Sequence, residues 1–156
     1  MWLGVSVENQ HFADERIPLL LQTPAAVRFI SAEPLLEGVN MNQWLLDEHG
    51  RRHIGAAPGL TWVIVGGESG PGARPCRVAW IRDIVQQCHS ASVRVFVKQL
   101  GARPEGDPRP PERRDPVTGA RVLTVMQQIE ISDRKGADMA EWPEELRVRE
   151  CPEFPR

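Results

Sequence analysis

Cysteine is scarce in this chain of 156 residues: Cys76, Cys88 and Cys151 stand twelve and sixty-three positions apart. That spacing gives neither a CxxC zinc pair nor the CxxxCxxC motif of an iron–sulfur cluster. An odd count without a signal peptide also argues against a disulfide framework, so the thiols are expected in the core or at the surface. Long apolar runs are missing too, and none approaches the roughly 18 residues of a membrane span. The start Met1-Trp2-Leu3-Gly4-Val5 carries no basic region and no apolar signal core, so nothing directs the chain out of the cytoplasm. There is no excess of positive charge: 19 Lys and Arg against 21 Asp and Glu give a net charge of −2. Nucleic acid therefore meets no global attraction, and a nucleic-acid partner is not expected. His11, His49, His53 and His89 show no ligand spacing, which disfavours a metal site.

What is present reads as one globular unit. Hydrophobic residues make up 41% and charged residues 26%, with 14 prolines and 13 glycines implying much irregular chain. Four short segments, residues 3–8, 28–33, 62–67 and 93–98, are β-branched or aromatic and end in polar or glycine-rich residues, the pattern of strands. Residues 77–89 place Ile81, Ile84, Val85 and Cys88 at helical spacing. Residues 16–22 read as a short helix with Pro18 in its first turn. Strand, helix, strand at these lengths predicts an α/β fold with parallel strands and right-handed crossovers. The second crossover is less regular, with a short element at residues 41–46 and a turn at Asp47-Glu48-His49-Gly50. Residues 102–121 hold five prolines among nine charged residues and read as a loop. A strand is expected within 122–131, and a helical turn at Trp142-Pro143-Glu144-Glu145-Leu146.

Alternation along each strand sorts side chains by face. Ser6 and Glu8 share a face, as do Ser31 with Glu33, Gly66 with Glu68, and Phe96 with Lys98. Each strand thus brings a charged group to its C-terminal end, the edge where parallel α/β folds bind ligands. Three carboxylates and one amine are expected to converge, and repulsion among them to raise at least one carboxyl pKa unless Lys98 or a cationic ligand relieves it. Taken singly, each is the polar residue with which a strand meets water. The run Gly66-Gly67-Glu68-Ser69-Gly70-Pro71-Gly72 lets a backbone approach a ligand, but it is neither a P-loop nor a GxGxxG fingerprint, and a tight turn is an equal reading. Arg74-Pro75 is either an anion clamp or a turn. Trp2, Trp62, Trp80 and Trp142 are expected in packing.

Four phrases occur together: Leu3-Gly4-Val5-Ser6-Val7-Glu8-Asn9, Arg28-Phe29-Ile30-Ser31-Ala32-Glu33-Pro34-Leu35-Leu36, Trp62-Val63-Ile64-Val65-Gly66-Gly67-Glu68-Ser69-Gly70, and Phe96-Val97-Lys98-Gln99-Leu100-Gly101. In this order they resemble the phage gp-thirty-seven/gp-sixty-eight family, carried by phages and bacteria, whose full-length members look like radical S-adenosylmethionine (radical SAM) proteins. The tail, with Asp133-Arg134-Lys135-Gly136 and Glu141-Trp142-Pro143, is similar to that family's ending. The resemblance, which spans nearly the whole chain apart from the proline-rich loop and residues 40–60, implies the C-terminal half of a parallel (β/α) barrel of radical SAM type; the expected organisation is this partial barrel over 1–101, the Pro/Arg-rich loop over 102–121, and an extension over 122–156 packed on the same domain. The resemblance implies S-adenosylmethionine and a [4Fe–4S] cluster for full-length relatives only, because the cysteine-rich segment that holds the cluster has no counterpart here. Glu8, Asn9, Ser31, Glu33, Glu68, Ser69, Lys98 and Gln99 are the cofactor- or substrate-binding positions the resemblance implies, to which the glycine run adds Gly66 and Gly67, with no catalytic residue and no metal ligand among them.

The expected function is the C-terminal portion of a phage or prophage radical SAM-like protein, inactive alone. A separately encoded N-terminal half-barrel, or self-association through an exposed edge strand, would be its partner, and a degenerate remnant is the inert version. The rival classes are a non-catalytic nucleotide- or phosphate-binding module built on the glycine run, and a nucleic-acid-associated phage protein using Arg134, Lys135, Arg147 and Arg149 or Arg109, Arg113 and Arg114. Acids interspersed among those cations favour plain solvated charge.

Overall fold

The computed structural model describes residues 1–45, 59–108 and 126–152. Its centre is a four-stranded parallel sheet. Strand β1 (Trp2–Ser6) leads through helix α1 (Gln10–Gln22) to β2 (Val27–Ala32), and a short helix α2 (Asn42–Leu45) lies in the next crossover before β3 (Trp62–Gly66). A two-residue strand β4 (Cys76–Arg77) runs into helix α3 (Val78–Ser90), which returns the chain to β5 (Arg94–Gln99). The sheet order is β1-β2-β3-β5, so each crossover joins neighbouring parallel strands.

Register sorts the sheet into two unlike faces. Val5, Ile30, Val63 and Val95 form one row, and Ser6, Ser31, Ile64 and Phe96 form the row beside it on the other face. Ile30, Val63 and Val95 are fully buried, in one cluster with Ile17 and Leu20 of α1 and Ile81, Ile84 and Cys88 of α3. Each such aliphatic side chain contributes roughly 1.5–3 kcal/mol on burial. Both helices therefore cover the same face, as right-handed crossovers between sequential neighbours require. On the opposite face Phe29, Ser31, Trp62, Ile64 and Phe96 are only half-buried. Trp62 is the hub of an aromatic group there, with ring centroids 5.6 Å from Phe29, 6.0 Å from Trp2 and 6.3 Å from Phe96. Gly4 makes room for it: a Cβ at Gly4 would stand 2.4 Å from the Phe29 ring, which lies across β1.

A second, smaller sheet follows. β6 (Pro104–Pro108) pairs in parallel with β4 and antiparallel with β7 (Met126–Gln128). This corrects the expectation of a loop from residue 102: the strand forms on backbone hydrogen bonds, such as Cys76 N–H to the Arg103 carbonyl at 3.0 Å, and has no apolar alternation to announce it. Residues 109–121 and the turn at 47–50 lie outside the described residues. The tail makes two 3-10 turns, Met139–Glu141 and Glu144–Leu146, burying Trp142 and Leu146. It then runs antiparallel along β5, where Val97 N–H donates to Val148 and Glu150 N–H to Val95.

Helix α1 begins six residues earlier than expected. Asn9 caps it by accepting from Phe12 N–H at 3.0 Å, and Ala13, Ile17 and Leu20 supply its buried stripe. Pro18 consequently lies inside the helix rather than in its first turn.

Candidate functional site at the strand ends

The C-terminal ends of β1, β2 and β3 are tied together by the chain that follows β2. Leu35 N–H donates to Gly66 and Leu36 N–H to Glu8, each at 2.9 Å. The Glu33–Pro34 peptide in this turn is cis. Glu33 is the focus of the site, with its side chain 17% exposed. Lys98 Nζ donates to its carboxylate at 3.0 Å and Gln99 Nε2 at 3.2 Å. Gln99 is buried, and its amide also donates to the Gly67 carbonyl at 2.8 Å.

Two adjacent residues on one strand do not ordinarily reach the same partner, because their side chains alternate. Here the register slips: Val65 pairs with Val97, but Gly66 pairs with Gln99. Lys98 is the extra residue of a β-bulge, and the local kink lets Lys98 and Gln99 both address Glu33. The close pairing also favours a glycine, since a Cβ at Gly66 would stand 3.1 Å from the Gln99 carbonyl oxygen, tight enough that one strand would have to give by a few tenths of an ångström.

Glu8 and Glu68 each have a private cation. Arg16, from α1, donates to Glu8 Oε2 at 3.1 Å and to the Ser6 carbonyl at 2.8 Å, with its guanidinium 3.9 Å from the Phe12 ring centre. Arg74 grips Glu68 through Nε at 2.7 Å, Nη2 at 3.2 Å and its own backbone N–H at 3.0 Å. Those hydrogen bonds hold the Glu68 carboxyl down to about 2, so this carboxylate moves in the opposite direction from mutual repulsion. The Arg74 clamp does hold an anion, and the anion is the chain's own Glu68. Arg16 was not singled out in the sequence because its partner is eight residues away across the β1–α1 turn, and the misplaced start of α1 concealed that geometry.

The remaining expected positions divide. Asn9 is occupied as the α1 cap. Ser31 lies half-buried on the open face, and its carbonyl accepts from Val7 N–H. Gly67 is a contact point, where a Cβ would stand 2.2 Å from the Leu100 carbonyl oxygen. Ser69 is exposed and lines a cavity of about 620 Å³ with Gly70, Pro71, Ala102, Arg134 and Lys135. Chemically, the strand ends offer a paired carboxylate and ammonium at Glu33 and Lys98, with a buried amide fixing the carboxylate's orientation.

The thiols play no part in it. Cys76 and Cys88 are buried, and burial pushes both up to about 12, while Cys151 is exposed. Among the described residues no three His, Cys, Asp or Glu side chains gather where they would hold a metal ion. No described helix is long and apolar enough to cross a membrane.

No curated protein and no solved structure matches the chain. A family model does, across residues 1–143, which takes in both sheets, α1 to α3 and every strand-end residue described above. The chain belongs to that family, described as "Protein of unknown function (DUF5131)".

Proposed function

We propose that the chain is the ligand-holding part of a phage-type, radical SAM-like (β/α) barrel, in which Glu33, Lys98 and Gln99 bind and orient an amino-acid-bearing ligand of the S-adenosylmethionine class. The observation that carries this reading is the sidedness of the sheet. Sequential parallel strands with both helices on one face leave the other face half-open, and Glu33 with Lys98 stands at its C-terminal rim. Parallel sheets are normally covered on both faces, and a (β/α) barrel turns just such a face inward with its ligands at that rim. A carboxylate and an ammonium 3.0 Å apart match the ammonium and carboxylate of an α-amino acid group, each able to exchange its internal partner for the ligand's opposite charge.

The cysteines of this chain do not fit a cluster: two are buried as neutral thiols and the third is exposed in the tail. No step through an iron–sulfur centre is therefore assigned to its residues. Their work is to bind and to orient, with Gln99 holding the Glu33 carboxylate and the β-bulge presenting Lys98.

Titration calorimetry with S-adenosylmethionine tests this directly. Saturable binding is expected, weakened by about tenfold or more in Glu33→Gln and in Lys98→Met, the loss that one charge-assisted hydrogen bond represents. Iron–sulfur-reconstituted protein should leave S-adenosylmethionine intact. Absence of binding, or cleavage of the ligand to 5′-deoxyadenosine, overturns the proposal.

A further inference from the structure

A second site stands apart from Glu33, on the far side of the glycine run. Three chain passes meet there backbone to backbone. A Cβ at Gly101 would lie 2.9 Å from Gly67 Cα, and one at Gly136 would lie 2.4 Å from the Gly101 carbonyl oxygen. Gly101 and Gly136 also hold φ values of +91° and +64°, which side-chain-bearing residues rarely adopt. Hydrogen bonds of 2.8 Å fasten the passes, from Leu100 N–H to Gly136 and from Ala102 N–H to Glu68. This fixes the turn at Ser69, Gly70 and Pro71 across a cavity of about 620 Å³ from the turn bearing Arg134 and Lys135.

The residues that line that cavity include two cations and no carboxylate. The other described arginines and Lys98 are engaged within the protein, as Arg74 is by Glu68, Arg82 by Glu145, and Arg147 and Arg149 by backbone carbonyls. Arg134 and Lys135 have no such partner among the described residues. Of the carboxylates close in sequence, Glu68 is neutralised by Arg74, while Asp133 and Glu141 are turned to Ala137 N–H and Ser132 and none of the three lines the cavity. The Ser69 and Gly70 N–H groups donate to no described acceptor, and beside Gly70, at φ +100°, nothing stands within 4 Å of where a Cβ would be. Two cations without a described partner line the same cavity as this open glycine turn, which suits the concavity to an anion. The cavity is also of the size that holds a small organic ligand.

We infer that the cleft between the Ser69–Gly70–Pro71 turn and Arg134–Lys135 binds the phosphate group of a small phosphorylated ligand of nucleotide size. The two cations would take the phosphate oxygens, and the stems of Arg134 and Lys135 with Pro71 and Ala102 would pack against the rest. This site is independent of Glu33 and Lys98, and its ligand need not be the one bound there.

The probes are inorganic phosphate, ADP and a short single-stranded DNA, each titrated into the full chain by calorimetry at two salt concentrations. ADP should bind saturably and more tightly than inorganic phosphate, with inorganic phosphate competing. Both cations are exposed, so the variant Arg134→Ala/Lys135→Ala should keep its circular dichroism and melting behaviour while losing ADP affinity by about tenfold or more. Lys135→Arg should bind like the parent, and Lys98→Met should leave ADP affinity unchanged. No ADP binding, binding indifferent to the double variant, or DNA bound more tightly than ADP at the higher salt overturns the inference.

Discussion

Glu68 and Arg74 set the clearest titration in the molecule. The Glu68 carboxyl sits at about 2 against an ordinary 4.5, mainly because the Arg74 side chain and backbone N–H both bond its charged form. A carboxyl lowered by folding stabilises the native state fully above 4.5, and that contribution is lost as pH falls from 4.5 through about 2. Glu68→Gln should therefore lower the urea midpoint at pH 7 and flatten its decline between pH 5 and 2, so that parent and variant converge in acid. A variant whose acid limb parallels the parent's would mean that Glu68 carries no such linkage. This pair also marks how far single residues were legible. Glu68 and Arg74 were each visible as candidates for a charged contact, one as a strand-end acid and the other as an anion clamp. That they satisfy one another is a fact of turn geometry, because Gly70 and Gly72, both at positive φ, fold the six-residue separation back on itself.

The elements that could be read in advance are those held by apolar periodicity. Val63, Val65, Val95 and Val97 announce buried strand faces, and Ile81, Ile84, Val85 and Cys88 announce the covering helix. Elements held by polar or backbone contacts were not legible in the same way. α1 starts on the Asn9 cap, with Gln10 seven residues before the dense apolar stretch that begins at Ile17, and β6 is a run of Pro, Glu, Gly and Asp with no apolar alternation to mark its pairing. The β-bulge at Lys98 carries no sequence signature either, yet it turns two alternating strand residues toward Glu33. The glycines show the same division. Gly67 and Gly70 look alike within one glycine-rich run, but a Cβ at Gly67 meets the Leu100 carbonyl at 2.2 Å and Cys76 Cβ at 2.9 Å, whereas one at Gly70 meets open space. Gly67→Ala should force backbone apart and cost about 3 kcal/mol or more, while Gly70→Ala should cost about 1 kcal/mol from its positive φ alone. Equilibrium unfolding in urea separates the two, and equal losses would show that Gly67 is not the contact point described.

At the scale of the molecule the decisive property is that one sheet has a dry face and an open one. The aromatic group around Trp62 lies on the open face, with its indole N–H spent on the Glu150 carbonyl at 2.8 Å, so the tail ties down one margin of this face as it seals the β5 edge. The β1 side has no such strap among the described residues, which leaves the face asymmetric, closed toward the tail and open toward β1. The sidedness can be tested with adjacent residues of the same strand. Val63 is 0% exposed in the core on the face that α3 packs against, and an aspartate there would bury a charge with no partner. Val63→Asp should cost about 4 kcal/mol or more, a large share of the roughly 5–15 kcal/mol that holds a domain folded. Ile64 points the other way into the half-open layer, where a carboxylate keeps access to water, so Ile64→Asp should cost only about 1–2 kcal/mol and remain folded. If the face forms part of the ligand chamber, Ile64→Asp should nonetheless weaken S-adenosylmethionine binding in calorimetry, separating a loss of function from a loss of fold. Equal destabilisation by the two substitutions would mean that both faces are equally dry, and the half-barrel reading, which depends on the contrast between them, would fall.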